Sequence, residues 1–267
     1  MAAIIRKLIE GYHYFNDDLA DPRTVNYPMV STPFIILCIV VVYNIYVQCV
    51  GPWWMAGRKP YNLKSLIILY DCIQIVVNFW LCFRVLKATY LTGKYNIFCQ
   101  GIETGTSPEE VLIMNTVYYY FLTKILDLLD TVFFSLSKKS GHISFLHIYH
   151  HSGMVVCGWI GIKYTPGGQA IFFGALNGFV HGVMYTYYLL AALQFLDSRH
   201  VFWKRSLTQL QMLQFALMTI HMIFAIMSPD CGFPRLLCYF VIGQQAFIFL
   251  LFADFYRKTY LKKKKVS

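Results

Sequence analysis

From Pro33 to Val50 the chain reads PFIILCIVVVYNIYVQCV without one charged residue, and runs of this kind recur along its 267 positions. An apolar run of about 20 residues is long enough for a helix to cross the hydrocarbon layer of a membrane. Seven such windows are read, at roughly 32–51, 65–86, 112–136, 143–162, 169–195, 207–228 and 234–254. A backbone in lipid has to satisfy its own hydrogen bonds, so these spans are helices and the fold class is all-α integral membrane. Composition agrees, with 57% apolar residues and only 13% charged. Residues 1–30 read as a lead-in, 31–255 as one membrane domain and 256–267 as a basic tail. The lead-in carries charges of both signs and no long apolar stretch or cleavage pattern, so it reads as amphipathic or loosely ordered and not as a cleaved signal peptide.

Basic residues set the orientation, because Lys and Arg collect in cytosolic loops. With the first loop cytosolic, that side receives Arg58, Lys59, Lys64, Lys138, Lys139, Arg199, Lys204, Arg205, Arg257, Lys258 and Lys262 to Lys265, 14 residues against seven opposite. An odd number of spans then leaves the N-terminus lumenal and the C-terminus cytosolic. The net charge of +10 sits beside an anionic leaflet, which points to membrane lipids and anionic substrates as partners and not to nucleic acid. The ending Lys264-Lys265-Val266-Ser267 resembles a dilysine retrieval signal of the endoplasmic reticulum. A solvated basic tail is the plainer alternative. Most of the eight cysteines fall in spans, but Cys99 and Cys231 fall in lumenal loops and are expected to pair. Two free thiols are the alternative if their backbones lie too far apart.

An ionisable side chain in a span costs on the order of 2.5–3.5 kcal/mol, so each needs a partner or a task. The third span, in KILDLLDT, carries Lys124, Asp127, Asp130 and Thr131, with Lys124, Asp127 and Thr131 on one helical face. The fourth, in FLHIYHH, carries His147, His150 and His151 within an arc of about 100°. The fifth, in NGFVHGVMYTYY, places Asn177, His181 and Tyr188 on one stripe with Tyr185 at its edge, and the sixth opens with Thr208, Gln209 and Gln211. In the topology above all of these fall in the cytosolic half or middle of their helices. A polar chamber with apolar walls beyond it suits a ligand with an anionic head and a long apolar tail. Taken singly, Lys124 with Asp127 could be a neutralised packing pair, and the tyrosines packing residues. His13, His142 and His200 are peripheral and His221 reads as a core residue.

Three neighbouring imidazoles invite two chemical readings. Imidazole binds iron and zinc, but one box within a total of eight histidines is a poor supply for a dinuclear centre, which leaves a mononuclear site as the metal reading. The other is covalent, an imidazole accepting an acyl group in a site kept dry. Cys157, on the same face as His150, is a rival nucleophile, and its plain reading is a small core residue.

KILDLLDT resembles KxxExxDT, FLHIYHH the HxxHH box, HGVMYTYY the pattern HxxMYxYY, TQLQ the pattern TQxQ, and GPWWMAGRKPY the motif after a first span. Together they resemble the ELO family, the elongases of very-long-chain fatty acids, over about residues 50–260. Asp127 stands where the family usually has Glu, which keeps the charge and moves its contact by about one bond length. The resemblance implies seven helices, six of them around a narrow acyl-CoA tunnel, in the endoplasmic reticulum membrane. It implies condensation of long-chain acyl-CoA with malonyl-CoA to 3-oxoacyl-CoA, CO2 and CoA, as a very-long-chain 3-oxoacyl-CoA synthase with no metal and no cofactor. On this chain, His150 is the expected nucleophile of a ping-pong cycle and His181 faces it, polarising the thioester and the malonyl carboxylate. His147 and His151 orient and deprotonate His150, while Asn177, Asp130 and Gln211 hold rings or substrate. The CoA phosphates are expected near Lys138, Lys139, Arg199, Lys204, Arg205 and Lys258. Expected partners are the reductases and dehydratase of the elongation cycle, with room for a homo-oligomer. Saturated and monounsaturated chains are expected on overall resemblance. A seven-span receptor or transporter explains the topology but not the clustered histidines.

Overall fold

A computed structural model of the chain describes residues 1–196 and 200–261. Arg199 and the run Lys262 to Lys265, with its dilysine-like pair, lie outside the described residues. The described chain is mostly helix, its longest non-helical connection running over residues 93–107, and no strand occurs among the described residues. In chain order they are α1 (Ala2–His13), α2 (Pro33–Ile45), α3 (Lys64–Ala88), α4 (Pro108–Leu126), α5 (Leu128–Leu136), α6 (Phe145–Tyr164), α7 (Ala170–Ala192), α8 (His200–Met227) and α9 (Arg235–Tyr256). Helix α2 runs on through a π-helical turn, Tyr46–Val50, into Gly51–Met55.

Four helical stretches are long and apolar enough to cross a membrane: Pro33–Met55, Lys64–Thr92, Val201–Met227 and Arg235–Leu261. Large apolar side chains on them point outward, Val76 and Leu236 among them, which suits a surface solvated by lipid. With these spans the chain is a membrane protein. The other three expected spans correspond to α4 with α5, to α6 and to α7. Each carries the polar residues singled out above, and that load lowers its mean hydropathy.

Local sequence explains the helix ends. Thr32 caps α2 through a bond accepted from the Phe34 N–H, ahead of Pro33 at the first helical position. Ser107 opens α4 with a reciprocal capping box: its hydroxyl accepts from the Glu110 N–H, and the Glu110 carboxylate accepts from the Ser107 N–H at 2.8 Å. Ser144 caps α6 by accepting from the His147 N–H, so the cap sets the first turn of the histidine box.

The chain forms two compact units. The first comprises residues 1–60 and 105–170, holding α1, α2, α4, α5 and α6. Its core is built from Ile36, Tyr43, Val47, Phe121, Leu128, Val155 and Ile162. Lys163, 2% exposed, donates to the carbonyls of Val30 and Ser31 and ties the end of α6 to the start of α2.

The second unit comprises residues 61–104 and 171–267, holding α3, α7, α8 and α9. Helices α8 and α9 pair through side chains such as the buried Phe215 against the half-buried Phe252. Helix α7 approaches α3 closely because it is glycine there: a Cβ at Gly178 would stand 3.1 Å from the Asn78 carbonyl oxygen, and one at Gly182 would press into the Phe79 ring. A disulfide joins Cys99 to Cys231, 132 residues apart, with Cα atoms 5.3 Å from each other.

Candidate active site

The polar residues gather in two clusters, one in each unit. In the first, the break between α4 and α5 falls at Asp127, whose carboxylate takes a hydrogen bond from Lys124 Nζ at 2.9 Å. Both side chains are almost fully buried, at 1% and 5% exposure. The ammonium also lies over the Tyr120 ring, 4.8 Å from its centre, so a neutralising carboxylate and an aromatic face replace its water. Helix α6 can come this close because residue 158 is glycine, where a Cβ would touch Phe121 and the Lys124 stem. The pair lies within electrostatic reach of His150.

On α6 the three histidines adjoin one another. The rings of His147 and His151 are 4.1 Å apart and those of His150 and His151 5.7 Å, the latter edge to face. All three are half-buried. Thr131 brings α5 to them: its hydroxyl lies 2.7 Å from His147 Nε2 and 2.8 Å from the Tyr43 hydroxyl on α2. Each hydroxyl donates once, so the chain Tyr43–Thr131–His147 runs in one direction at a time and determines which His147 nitrogen carries the proton. Asn44 donates to Ser152 at 3.0 Å on the same pair of helices. Asp130 and Cys157 are half-buried in this unit.

The second cluster is built on α3 and α7. Tyr185 is fully buried, with its ring 6.0 Å from that of His181 and 6.0 Å from that of Tyr188. Gln74, also fully buried, donates to the Tyr70 hydroxyl at 2.8 Å and to the Tyr185 hydroxyl at 3.3 Å, while its own oxygen accepts from Asn78 at 3.1 Å. Asn177 and His181 are buried on α7, at 2% and 7% exposure. Gln211 lies against Met184, its amide nitrogen 3.6 Å from the sulfur. Tyr188 is at the rim of this cluster, 36% exposed.

The basic residues read as phosphate partners lie at helix ends. Lys138, Lys139, Arg205 and Lys258 are exposed and Lys204 half-buried. Arg205 donates to the Tyr256 hydroxyl at 2.7 Å, and Lys258 pairs with Asp254. Among the described residues no group of three His, Cys, Asp or Glu side chains is arranged to hold a metal ion.

Sequence reasoning passed over Tyr43, Tyr70, Asp71, Gln74 and Asn78. Asp71, Gln74 and Asn78 recur at i, i+3 and i+7 in YDCIQIVVN and are buried together on α3, so the same face argument that found Lys124 and Asp127 would have found them. Asp71 Oδ2 is buried without a hydrogen-bond partner.

Comparison with known proteins adds to this chemistry. The family model of the ELO, or GNS1/SUR4, family matches residues 28–267. A very long chain fatty acid elongase of Aedes aegypti is 39% identical over 264 residues, which is 98% of this chain and 73% of that protein. Very long chain fatty acid elongase 7 of Drosophila melanogaster is 35% identical across 95% of this chain and 77% of its own length. Very long chain fatty acid elongase 4 of Homo sapiens is 36% identical across 92% of this chain and 78% of its own.

Proposed function

Since this chain belongs to the ELO (GNS1/SUR4) family and its relatives are fatty acid elongases, we propose that it performs the carbon–carbon bond-forming step of elongation. The substrates are a long-chain acyl-CoA and malonyl-CoA, and the products are 3-oxoacyl-CoA, CO2 and CoA. The observation that carries this reading is the set of adjoining imidazoles on α6, hydrogen-bonded through Thr131 and standing beside a buried, neutralised lysine.

In the first half-reaction His150 attacks the thioester carbonyl. The carbon–sulfur bond breaks, the ring N–H proton goes to the leaving thiolate, and CoA departs from an acyl-imidazole. His147 and His151 orient the ring and move that proton. In the second, malonyl-CoA loses CO2 and its electron pair forms the new carbon–carbon bond at the acyl carbonyl, while the carbon–nitrogen bond to His150 breaks. The ring regains a proton from solvent, so one proton is taken up overall. Loss of CO2 makes the carbanion in place, and neither a metal nor a redox cofactor is needed for these steps. An acyl-imidazole hydrolyses in water, which favours a dry site within the membrane.

His181 polarises the thioester and the malonyl carboxylate, with Asn177, Asp130, Tyr185, Tyr188 and Gln211 holding rings or substrate. Lys124 and Asp127, a neutralised pair, help to bind substrate beside the nucleophile, and Lys138, Lys139, Arg199, Lys204, Arg205 and Lys258 attract the CoA phosphates. The proposed architecture has seven spans within 31–255, six of them around a narrow tunnel. The proposed location is the endoplasmic reticulum membrane, with the N-terminus lumenal, the 256–267 tail cytosolic and the other enzymes of the cycle nearby.

The test is intact mass spectrometry of the protein incubated with a long-chain acyl-CoA alone, followed by peptide mapping. An acyl mass on His150 that disappears on adding malonyl-CoA is the expected result. Turnover without an adduct would mean direct condensation, and an adduct on Cys157 would transfer the nucleophile's role to the thiol.

A further inference from the structure

Helix α1 divides cleanly around its axis. Ile4, Ile5, Leu8, Ile9 and Tyr12 occupy an arc of about 140°, while Arg6, Glu10 and His13 occupy the opposite side. The charged side is internally satisfied, Arg6 with Glu10 at 2.8 Å and His13 with Asp17 at 2.7 Å. The apolar side is not covered: Ile4 is 65% exposed and Leu8 69%.

The helix is held at the edge of the membrane-spanning part of its own unit. Tyr12 stacks on Phe34 at the start of the apolar stretch Pro33–Met55, and the Tyr164 hydroxyl, at the end of α6, donates to the Phe15 carbonyl at 2.9 Å. Between them a cavity of about 410 Å³ stays open, lined by Leu8, Gly11, Phe15, Trp159 and Tyr164 with Lys7 at the side. That volume falls within the range of roughly 300–1,000 Å³ usual for small-ligand sites. Trp159 is 7% exposed, and its indole N–H has no hydrogen-bond partner. That nitrogen is itself shut off from the surface, so Trp159 offers the cavity the apolar part of its ring.

We propose that this cavity is a phospholipid site: α1 lies on the bilayer surface with its apolar arc in the lipid, one acyl chain fills the space between α1 and α6, and the lipid phosphate pairs with Lys7. An amphipathic helix with low overall hydrophobicity binds in the interfacial plane in this way. The free carboxylate of a fatty acid or the long tail of an acyl-CoA would fit the apolar wall as well, and the test separates them.

The full chain in nanodiscs is irradiated with a phosphatidylcholine carrying a photoreactive group in one acyl chain, and labelled peptides are mapped. Labelling is expected on the peptides of residues 7–16 and around Trp159, in addition to the outward faces near Val76 and Leu236. A Cβ at Gly11 meets no atom within 4 Å, so a side chain can start there, and Gly11→Trp puts an indole into the cavity. In that variant labelling around Trp159 is lost, while the 7–16 peptide, whose apolar arc stays in the bilayer, and the faces near Val76 and Leu236 remain labelled. Lys7→Glu, at an exposed position outside the core, removes the phosphate's partner and lowers cavity labelling by up to about fivefold. Unchanged cavity labelling in both variants overturns the proposal, as does labelling there by a photoreactive acyl-CoA or fatty acid but not by the phospholipid.

Discussion

Thr131 places one hydroxyl between the Tyr43 phenol and His147 Nε2, at 2.8 Å and 2.7 Å, and so couples a helix with no catalytic motif to the histidine box. Thr131→Val keeps the shape and removes both bonds. A buried polar group left without a partner costs about 1–3 kcal/mol. If that cost appears in the transition state, kcat falls by roughly five- to 150-fold, and Thr131→Ser restores most of it. Turnover with saturating acyl-CoA and malonyl-CoA checks this, and equal activity in the Val and Ser variants would show that the hydroxyl does not matter. Lys124→Met leaves the Asp127 carboxylate buried beside an apolar chain, and the loss expected for such a half-broken pair is about 3–5 kcal/mol. Lys124→Met with Asp127→Leu regains much of the melting temperature without regaining activity. The sequence made these side chains visible because HxxHH and KxxDxxDT put them on single helical faces. It could not reveal Tyr43, since nothing in VVVYNIY says which helix will lie opposite.

Helices α3 and α7 show what spacing alone leaves out. Helix α7 was legible through its polar stripe, whereas α3 was read as a plain apolar span although Asp71, Gln74 and Asn78 recur on one face; what their spacing leaves out is which helix packs there. The contact depends on Gly178, whose absent side chain leaves room for the Asn78 carbonyl. Gly178→Leu forces a backbone atom to move, and overpacking of this kind costs about 1–3 kcal/mol or more. A lowered melting temperature in detergent is expected, together with reduced turnover because the α3 network holds Tyr185 beside His181. An unchanged melting temperature would mean that α7 can slide on α3 at no cost. Helix α1 marks the other limit. Its charges allowed an amphipathic or a loose lead-in, and the contacts of Tyr12 with Phe34 and of Tyr164 with Phe15 are what give it a fixed place.

At the scale of the whole molecule the disulfide constrains topology more tightly than hydropathy does. Cys99 and Cys231 can be joined only if both loops lie on the same side of the membrane, so the chain crosses an even number of times between them. One of those crossings is Val201–Met227, which is apolar enough to be counted without appeal to any motif. An odd number of the three remaining helical segments, α4 with α5, α6, and α7, must therefore cross as well, either one or three. Three added to the four apolar stretches gives seven spans; one gives five. A disulfide further requires an oxidising side, which agrees with the proposed orientation, in which the basic loops are cytosolic and these cysteines lumenal. Cys99→Ser with Cys231→Ser is expected to cost about 2–5 kcal/mol of stability. Cysteine labelling in sealed microsomes, with native thiols other than this pair removed, decides the count. With seven spans, Gly141→Cys reacts with an impermeant maleimide from the cytosolic side, while Ala170→Cys reacts only after the membrane is opened. If α4 with α5 is the sole added crossing, both positions react from the cytosolic side. If only α6 crosses, Gly141→Cys is shielded and Ala170→Cys reacts, and if only α7 crosses, both are shielded. The paired pattern thus separates seven spans from each five-span arrangement, and any result but the first removes the six-helix tunnel on which substrate access in the proposed mechanism depends.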